Sequence, residues 1–157
     1  MSPKISANAE FEPLNIAQLT VSSSRGPDED TSGDFLCERL QSTGHHLAER
    51  RIVAENLYLL RAVVAQWIAD DEVQCVFISG GTGVTDHDCG PEAIGPLLDR
   101  EIPGFGELFR HFSLAEIGSS TVQSRAFAGV ANRTLVFALP GSTGACRTAW
   151  EKILEPQ

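Results

Sequence analysis

Two apolar runs, each followed directly by a glycine-rich turn, constrain the fold more than any other feature of the sequence. The first run covers residues 73–78 (VQCVFI) and the second covers residues 134–139 (TLVFAL). Runs so apolar and rich in β-branched residues are typical of strands that are covered on both faces, as in parallel sheets. Helix-like segments lie between the strand-like segments. This alternation predicts a three-layer αβα sandwich with a largely parallel sheet.

The other elements follow from periodicity and from turn formers. We predict further strands at residues 14–21 and 45–53, the second polar enough to lie near a sheet edge. Helices are predicted at residues 31–43, 57–69, 91–98 and 104–117, and from the turn at 140–143 to about residue 154. Thr31 or Ser32 can cap the first helix, because a hydroxyl accepts from its free backbone N–H groups. The aromatic stripe of residues 104–117 belongs either to the core or to a subunit interface.

Length and composition indicate one soluble domain. The chain has 157 residues, which predicts a single domain, placed at residues 14–157. Residues 1–13 mix polar, small and proline residues, so we assign them to a mobile tail. A net charge of −9 opposes binding to nucleic acid or to anionic membranes. No signal peptide or membrane-spanning run is evident, so we expect a cytoplasmic protein. The four cysteines lack a C-x-x-C pair and are predicted to be free thiols.

The two glycine-rich turns are the candidate ligand site. They are Ser79-Gly80-Gly81-Thr82-Gly83 and Pro140-Gly141-Ser142-Thr143. Ligands of open α/β sheets bind beyond the carboxyl ends of the strands, where both turns are predicted to lie. Glycine permits close backbone approach, and consecutive N–H groups can form an anion-binding concavity that suits phosphate. For each turn taken alone, a tight strand-to-helix connection without a ligand is the alternative.

Carboxylates follow the first turn at Asp86 and Asp88. They would repel a phosphate unless a cation intervened, and Mg²⁺ typically binds one or two carboxylates together with substrate phosphates. The combination points to metal-assisted phosphoryl or nucleotidyl transfer. The alternative is that Asp88 caps the helix that starts at Pro91.

Two other groups of residues are candidates for the site. Arg125 either holds phosphate through its guanidinium or forms a surface ion pair. His87, Asp88 and Cys89 are too close in sequence for a zinc site.

The motifs, taken in order, resemble the MogA/MoaB family of molybdenum cofactor biosynthesis proteins. The resemblance covers about residues 14–157, and its Q-S-R and P-G-S-T motifs favour the MoaB branch. It rests on TSGDFL (31–36), GHH (44–46), SGGTGVTDHDCGPEA (79–93), DREIPGFGE (99–107), SSTVQSR (119–125) and LPGSTGACRTAWE (139–151).

This resemblance implies a compact αβα domain that assembles as a homotrimer or as a homohexamer, a dimer of trimers. It also implies binding of molybdopterin, and adenylylation of its phosphate with ATP and Mg²⁺. Asp88 matches the family position for magnesium and catalysis. The ligand-binding positions implied by the two turns are Ser79, Gly80, Gly81, Thr82, Gly83, Pro140, Gly141 and Ser142.

Two departures from the family pattern bear on catalysis. Adenylylating members carry an aspartate after the second strand, where this chain has Ala54, and often another in the early loop, where it has Ser23. Glu55 is adjacent but is expected to point elsewhere. Three hypotheses follow: an adenylyltransferase, a molybdopterin- or nucleotide-binding protein of the same pathway without transfer activity, and an oligomeric binding module outside the pathway.

Overall fold

A six-stranded mixed sheet forms the centre of the molecule in the computed structural model, which describes residues 9–157. The first eight residues of the predicted mobile tail lie outside this range. The strands are β1 (Asn15–Val21), β2 (His46–Val53), β3 (Cys75–Ser79), β4 (Arg100–Glu101), β5 (Phe127–Ala131) and β6 (Thr134–Leu139). The α-helices are α1 (Thr31–Ser42), α2 (Leu57–Ala69), α3 (Gly90–Ile94), α4 (Pro103–Ile117) and α5 (Thr143–Ala149), and a π-helical turn, Trp150–Leu154, continues α5.

The sheet order is β2-β1-β3-β6-β5-β4. Strands β2, β1, β3 and β6 are parallel to one another. Strand β5 pairs antiparallel with β6, and β4 pairs antiparallel with β5. The predicted three-layer fold with a largely parallel sheet is therefore confirmed.

Strands β4 and β5 were not predicted from the sequence. β5 (FAGVA) is rich in alanine and glycine, so it lacks the β-branched signal of the other strands. A tight hairpin joins it to β6 through Asn132 and Arg133, which both have left-handed φ angles, 47° and 66°. Asparagine favours such a turn, but arginine carries no turn signal. The neighbouring strand β6 supplies the pairing that the local sequence does not specify.

Helices cover both faces of the sheet and bury two apolar layers. On one face, α1, α4 and α5 pack over a core that includes Leu36, Phe105 and Cys146. On the other face, α2 and α3 pack over a core that includes Val64 and Ile94. Both layers are predicted by the apolar stripes of the helices. Within residues 9–157, no helix is both long enough and apolar enough to cross a bilayer.

Two predicted helix boundaries differ from the structure. The N-cap of α1 is Asp30, whose carboxylate accepts from the Gly33 N–H at 3.0 Å, so the predicted cap at Thr31 or Ser32 is wrong. The predicted helix 91–98 is split, because α3 ends at Ile94 and Gly95–Leu97 forms a 3₁₀ turn around a proline. The described part of the predicted tail, residues 9–13, is without helix or strand, and its Phe11 ring lies 5.1 Å from the His45 ring.

Candidate functional site

The two glycine turns lie against each other at the carboxyl ends of β3 and β6. Ser79 and Leu139 are paired at the ends of these neighbouring parallel strands. The Gly80 N–H donates to the Leu139 carbonyl at 2.9 Å. Gly141 approaches so closely that a Cβ on it would lie 3.3 Å from the Cα of Gly80. The structure therefore brings together the residues from Ser79 to Gly83 and from Pro140 to Ser142, which the sequence analysis assigned to one site.

Gly80 and Gly81 occupy backbone conformations that other residues rarely adopt. Their φ angles are 98° and 75°. A Cβ on Gly80 would also lie 2.5 Å from the Val21 carbonyl oxygen, a backbone atom that cannot move without distorting β1. Close packing of the first turn against β1 thus requires glycine at this position.

Replacement of Gly80 by alanine should lower the free energy of unfolding by about 2–3 kcal/mol, because it combines positive φ with a backbone clash. Gly144 is the matched control, since it lies in α5 with open space around its missing Cβ. Gly144→Ala should raise the free energy of unfolding by about 0.5–1 kcal/mol. Urea unfolding followed by circular dichroism measures both changes, and equal effects at the two positions would contradict this account of the turn.

The two turns present unpaired backbone donors. Among the described residues, the N–H groups of Gly81, Thr82, Gly141 and Ser142 donate to no protein acceptor. The Ser142 hydroxyl accepts from the Ala145 N–H at 3.1 Å, so this side chain serves as the N-cap of α5. Buried or half-buried N–H groups without a partner are costly, and an anionic ligand satisfies several of them at once.

Asp88 faces the first glycine turn. Its Oδ2 accepts from the Thr85 N–H at 3.0 Å and from the Thr85 hydroxyl at 2.7 Å. A Cβ on Gly83 would lie 2.6 Å from the same oxygen. The alternative that Asp88 caps the next helix is wrong, because the N-cap of α3 is Cys89 and no side chain caps this helix.

The Asp88 carboxylate is ionised at neutral pH. Partial burial opposes its charge, but the hydrogen bonds from Thr85 and the nearby Arg125 guanidinium outweigh burial and keep the pKa of Asp88 below its usual value. A half-buried negative charge therefore stands beside the unpaired N–H groups, an arrangement that a divalent cation would complete.

Arg125 holds the first turn in place through hydrogen bonds to its backbone carbonyls. Its Nε donates to the Gly83 carbonyl at 2.7 Å, and one terminal nitrogen donates to the Asp88 carbonyl at 2.8 Å. The other terminal nitrogen forms an ion pair with Glu92. These bonds fix both ends of the segment from Gly83 to Asp88. The structure thus gives Arg125 a positioning role, and its predicted contact with ligand phosphate stays a prediction.

A buried polar cluster beneath the site was missed by the sequence analysis. The Thr20 hydroxyl donates to Asp30 Oδ2 at 2.7 Å, and an Arg50 terminal nitrogen donates to the same oxygen at 2.7 Å. The amide nitrogen of Gln18 donates to Thr20 Oγ1 at 3.0 Å, and the Ser79 hydroxyl lies 3.4 Å from Thr20 Oγ1. The Asp30 side chain has no exposed surface. This cluster ties β1, β2 and the start of α1 to Ser79, the residue that opens the first glycine turn.

The signal that could have revealed this cluster is polarity within an apolar strand. Gln18 and Thr20 alternate with buried Ala17, Leu19 and Val21 along β1. The alternation fits a strand with one polar, exposed face, but α1 covers that face, so both side chains are fully buried. A buried carboxylate such as Asp30 survives there because the Arg50 guanidinium and two donors compensate its charge.

The positions where family members carry further aspartates lie on adjacent loops. The Ser22 N–H donates to the Val53 carbonyl at 2.9 Å, which joins the ends of β1 and β2. The Ser23 hydroxyl donates to Glu55 Oε2 at 2.8 Å, so the Glu55 carboxylate turns towards the early loop. Within the described range, no group of three His, Cys, Asp or Glu side chains is arranged to hold a metal ion. The one predicted magnesium ligand that the structure places beside the glycine turns is Asp88.

Fold and site together define an αβα protein in which two glycine turns and one ionised carboxylate lie at the carboxyl edge of the sheet. Residues 17–157 match the family model MoCF_biosynth, described as "Probable molybdopterin binding domain". The chain belongs to this family.

Relatives and solved structures agree with this assignment. The chain is 59% identical over 150 residues to molybdenum cofactor biosynthesis protein B of Escherichia coli (strain K12), with 96% of this chain and 88% of the relative covered. It is 42% identical over 140 residues to the protein of the same name from Bacillus subtilis (strain 168), with 88% and 82% covered. A crystal structure of molybdenum cofactor biosynthesis protein B superposes with a TM-score of 0.89 at 40% identity, covering 92% of this chain and 91% of that one. The tungsten cofactor synthesizing protein MoaB from Pyrococcus furiosus superposes with a TM-score of 0.82 at 34% identity, covering 93% of both chains. This chain is accordingly a molybdenum cofactor biosynthesis protein.

Proposed function

We propose that the chain binds molybdopterin at the edge formed by the two glycine turns and transfers AMP from Mg-ATP to the molybdopterin phosphate. One observation carries this proposal: the two turns lie against each other and carry N–H groups without protein acceptors among the described residues, and the ionised carboxylate of Asp88 faces the first turn. Such an edge suits two phosphate-bearing reactants that need both donors and a cation. The family description and the relatives' names support a pterin as one of them.

The proposed reaction joins two anions. A terminal phosphate oxygen of molybdopterin attacks the α-phosphorus of ATP, the bond from that phosphorus to the bridging oxygen breaks, and pyrophosphate leaves. Catalysis of such a transfer rests on alignment and on neutralisation of charge. The backbone N–H groups of Gly81, Thr82 and Gly141 would supply fixed donors, and Asp88 would hold Mg²⁺, which would supply positive charge to neutralise the phosphates.

A second candidate function is molybdopterin or nucleotide binding without transfer. It is favoured by Ala54, which stands where the family pattern has an aspartate. In this case the glycine turns bind the phosphate of the ligand, while the second carboxylate needed to position a nucleotide-bound cation is missing.

Incubation of the purified chain with molybdopterin, ATP and Mg²⁺ separates the two functions. Transfer activity yields adenylylated molybdopterin and pyrophosphate over many turnovers, and omission of Mg²⁺ abolishes both products. Saturable binding of molybdopterin without either product supports the second function. A chain that binds no molybdopterin contradicts the transfer function, and a chain that binds neither molybdopterin nor a nucleotide contradicts both.

Ala54→Asp should raise the rate of adenylyl transfer if the missing carboxylate limits catalysis. We expect a gain of about tenfold or more, because one added cation ligand stabilises the transition state by more than about 1.4 kcal/mol. Product formation at saturating ATP measures the effect, with Ala54→Asn as the control for size without charge. A rate that stays at the wild-type value would place the limitation elsewhere in the site.

Assembly as a homotrimer or a homohexamer is also part of the proposal. Apolar side chains of α4 and the following 3₁₀ turn support it, since Leu114, Ile117 and Val122 are 53%, 55% and 80% exposed. The aromatic residues Phe105 and Phe109 of the predicted stripe belong to the core instead. Light scattering coupled to gel filtration measures the mass in solution, and a monomer at micromolar concentration would contradict this part.

A further inference from the structure

An apolar groove opens at the amino ends of the parallel strands, at the opposite edge of the sheet from the glycine turns. Its volume is about 960 Å³. Its floor consists of side chains near the starts of three neighbouring strands, Ile16, Cys75 and Leu135, which are paired across the sheet. Phe77 and Phe137 lie two residues further along and point to the same face. The groove is thus separate from the proposed molybdopterin site.

Aromatic side chains form the walls of this groove. The Phe105 ring of α4 meets the Phe137 ring edge-on, with centroids 5.2 Å apart. The Trp150 ring meets the Phe77 ring edge-on at 6.0 Å. Trp150 begins the π-helical turn, and such turns occur frequently at functional sites.

The indole N–H of Trp150 has no hydrogen-bond acceptor, although the residue is only 3% exposed. Among the described residues, it is the one buried side-chain donor without a partner. Trp67 shows the usual arrangement, because its indole N–H donates to Glu49 at 2.6 Å. A buried indole normally finds such a partner. The groove therefore lacks an acceptor that an occupant carrying a carbonyl group would supply.

The charged residues that line the groove are all acidic: Glu10, Glu12 and Glu155. His45 also faces the groove, and burial together with the neighbouring His46 lowers its pKa, so it adds no positive charge at neutral pH. An occupant with carboxylate or phosphate groups would be repelled, whereas lysine or arginine side chains would be attracted.

We propose that this groove binds a short extended peptide segment of a partner protein, with apolar side chains in the groove and basic side chains at its ends. A backbone carbonyl of the segment accepts from the Trp150 indole N–H, and the basic side chains pair with Glu12 and Glu155. Aromatic-lined grooves of this kind give a peptide its affinity through apolar burial, and the charges at the ends give it selectivity. This site is independent of the proposed adenylyl transfer.

The test uses two five-residue probes, acetyl-Lys-Phe-Leu-Phe-Lys-amide and the acidic acetyl-Glu-Phe-Leu-Phe-Glu-amide. The full chain carries two tryptophans, so ¹H–¹⁵N spectra of the ¹⁵N-labelled chain contain two indole signals. Trp67, already bonded to Glu49, serves as the internal control. The basic probe should move the Trp150 signal downfield in a saturable manner and leave the Trp67 signal unchanged. It should bind about fivefold tighter than the acidic probe, as two exposed ion pairs imply.

Two variants test whether the peptide probes bind in the groove. Leu108→Lys places a positive charge on the groove wall at a residue that is 41% exposed, so it should weaken the basic probe at least about fivefold without unfolding the chain. Combined Glu12→Gln and Glu155→Gln should remove the preference for the basic probe. Equal affinity of the two probes for the wild-type chain, or binding that Leu108→Lys leaves intact, would overturn the proposal, as would an unmoved Trp150 signal. A Trp150 signal that shifts with protein concentration alone would show that a second copy of the chain fills the groove, and it would overturn the proposal too.

Discussion

Asp88→Asn should lower the rate of adenylyl transfer by about 10²–10³-fold while changing molybdopterin affinity by less than about threefold. Asparagine preserves the size of the side chain and can still accept from the Thr85 N–H and hydroxyl, which hold the turn. What it removes is the negative charge that we propose holds Mg²⁺. The loss therefore falls on the step in which charge develops between the phosphates, and single-turnover measurements at saturating ATP report it directly.

Two controls separate the charge of Asp88 from its contribution to the turn. Thr85→Ala removes one hydrogen bond to Asp88 but keeps the carboxylate, so it should lower the rate by less than about tenfold. Asp86→Asn removes a nearby exposed charge, and it should change the rate by less than about twofold. If Asp88→Asn and Asp86→Asn had equal effects, Asp88 would not be the metal ligand. A large loss of molybdopterin affinity in Asp88→Asn would assign the residue to binding of the pterin.

Asp30→Ala should lower the free energy of unfolding by about 3–4 kcal/mol and the melting temperature by about 10 °C. The substitution leaves Thr20 without its acceptor, takes one carboxylate from Arg50, and removes the N-cap of α1. Asp34→Ala is the matched control, because Asp34 pairs with the same guanidinium at 2.7 Å but its side chain is 59% exposed. That change should cost less than about 1 kcal/mol. Thermal unfolding monitored by circular dichroism compares the two variants, and similar losses would contradict a special role for the buried cluster.

The contribution of Asp30 should depend on pH in a defined direction. Burial opposes ionisation of Asp30, but hydrogen bonds from Arg50, Thr20 and the Gly33 N–H outweigh burial and lower its pKa in the folded chain. A carboxylate whose pKa is lowered by folding stabilises the protein fully above its unfolded pKa of about 3.9. This stabilisation is lost as the pH falls through the lower, folded pKa. The stability difference between the wild-type chain and Asp30→Ala should therefore stay constant from pH 5 to pH 8 and shrink below about pH 4.

Loss of the hydrogen bonds of Asp30 should also weaken ligand binding at the proposed site. Thr20 connects Asp30 to Ser79, which directly precedes Gly80 in the first turn. We therefore expect weaker phosphate binding in Asp30→Ala at temperatures where the variant is still folded, because the turn is no longer fixed to β1.

Local patterns account for most of the fold. Strands β3 and β6 are evident from two apolar runs, and α2 from a single stripe that includes Leu60, Val64 and Trp67, all buried as that stripe requires. Strand β5 was missed because its sequence, FAGVA, has weak strand propensity and depends on pairing with β6. The predicted N-cap of α1 failed because the choice between Asp30 and Thr31 depends on Arg50, 20 residues away in the sequence.

The sequence by itself determined the layer order, the parallel centre of the sheet, and the placement of both glycine turns at the carboxyl edge. These properties follow from periodicity and from the rule that parallel strands end at one edge. Only the tertiary structure decided that Asp88 turns back onto the glycine loop, that Arg125 braces it from behind, and that Asp30 lies buried beneath it. The bonds of Arg125 and Asp30 join groups far apart in the chain, and such bonds leave no periodic trace in the sequence. Asp88 bonds to Thr85, three residues away, but nothing in the sequence shows which way its side chain points.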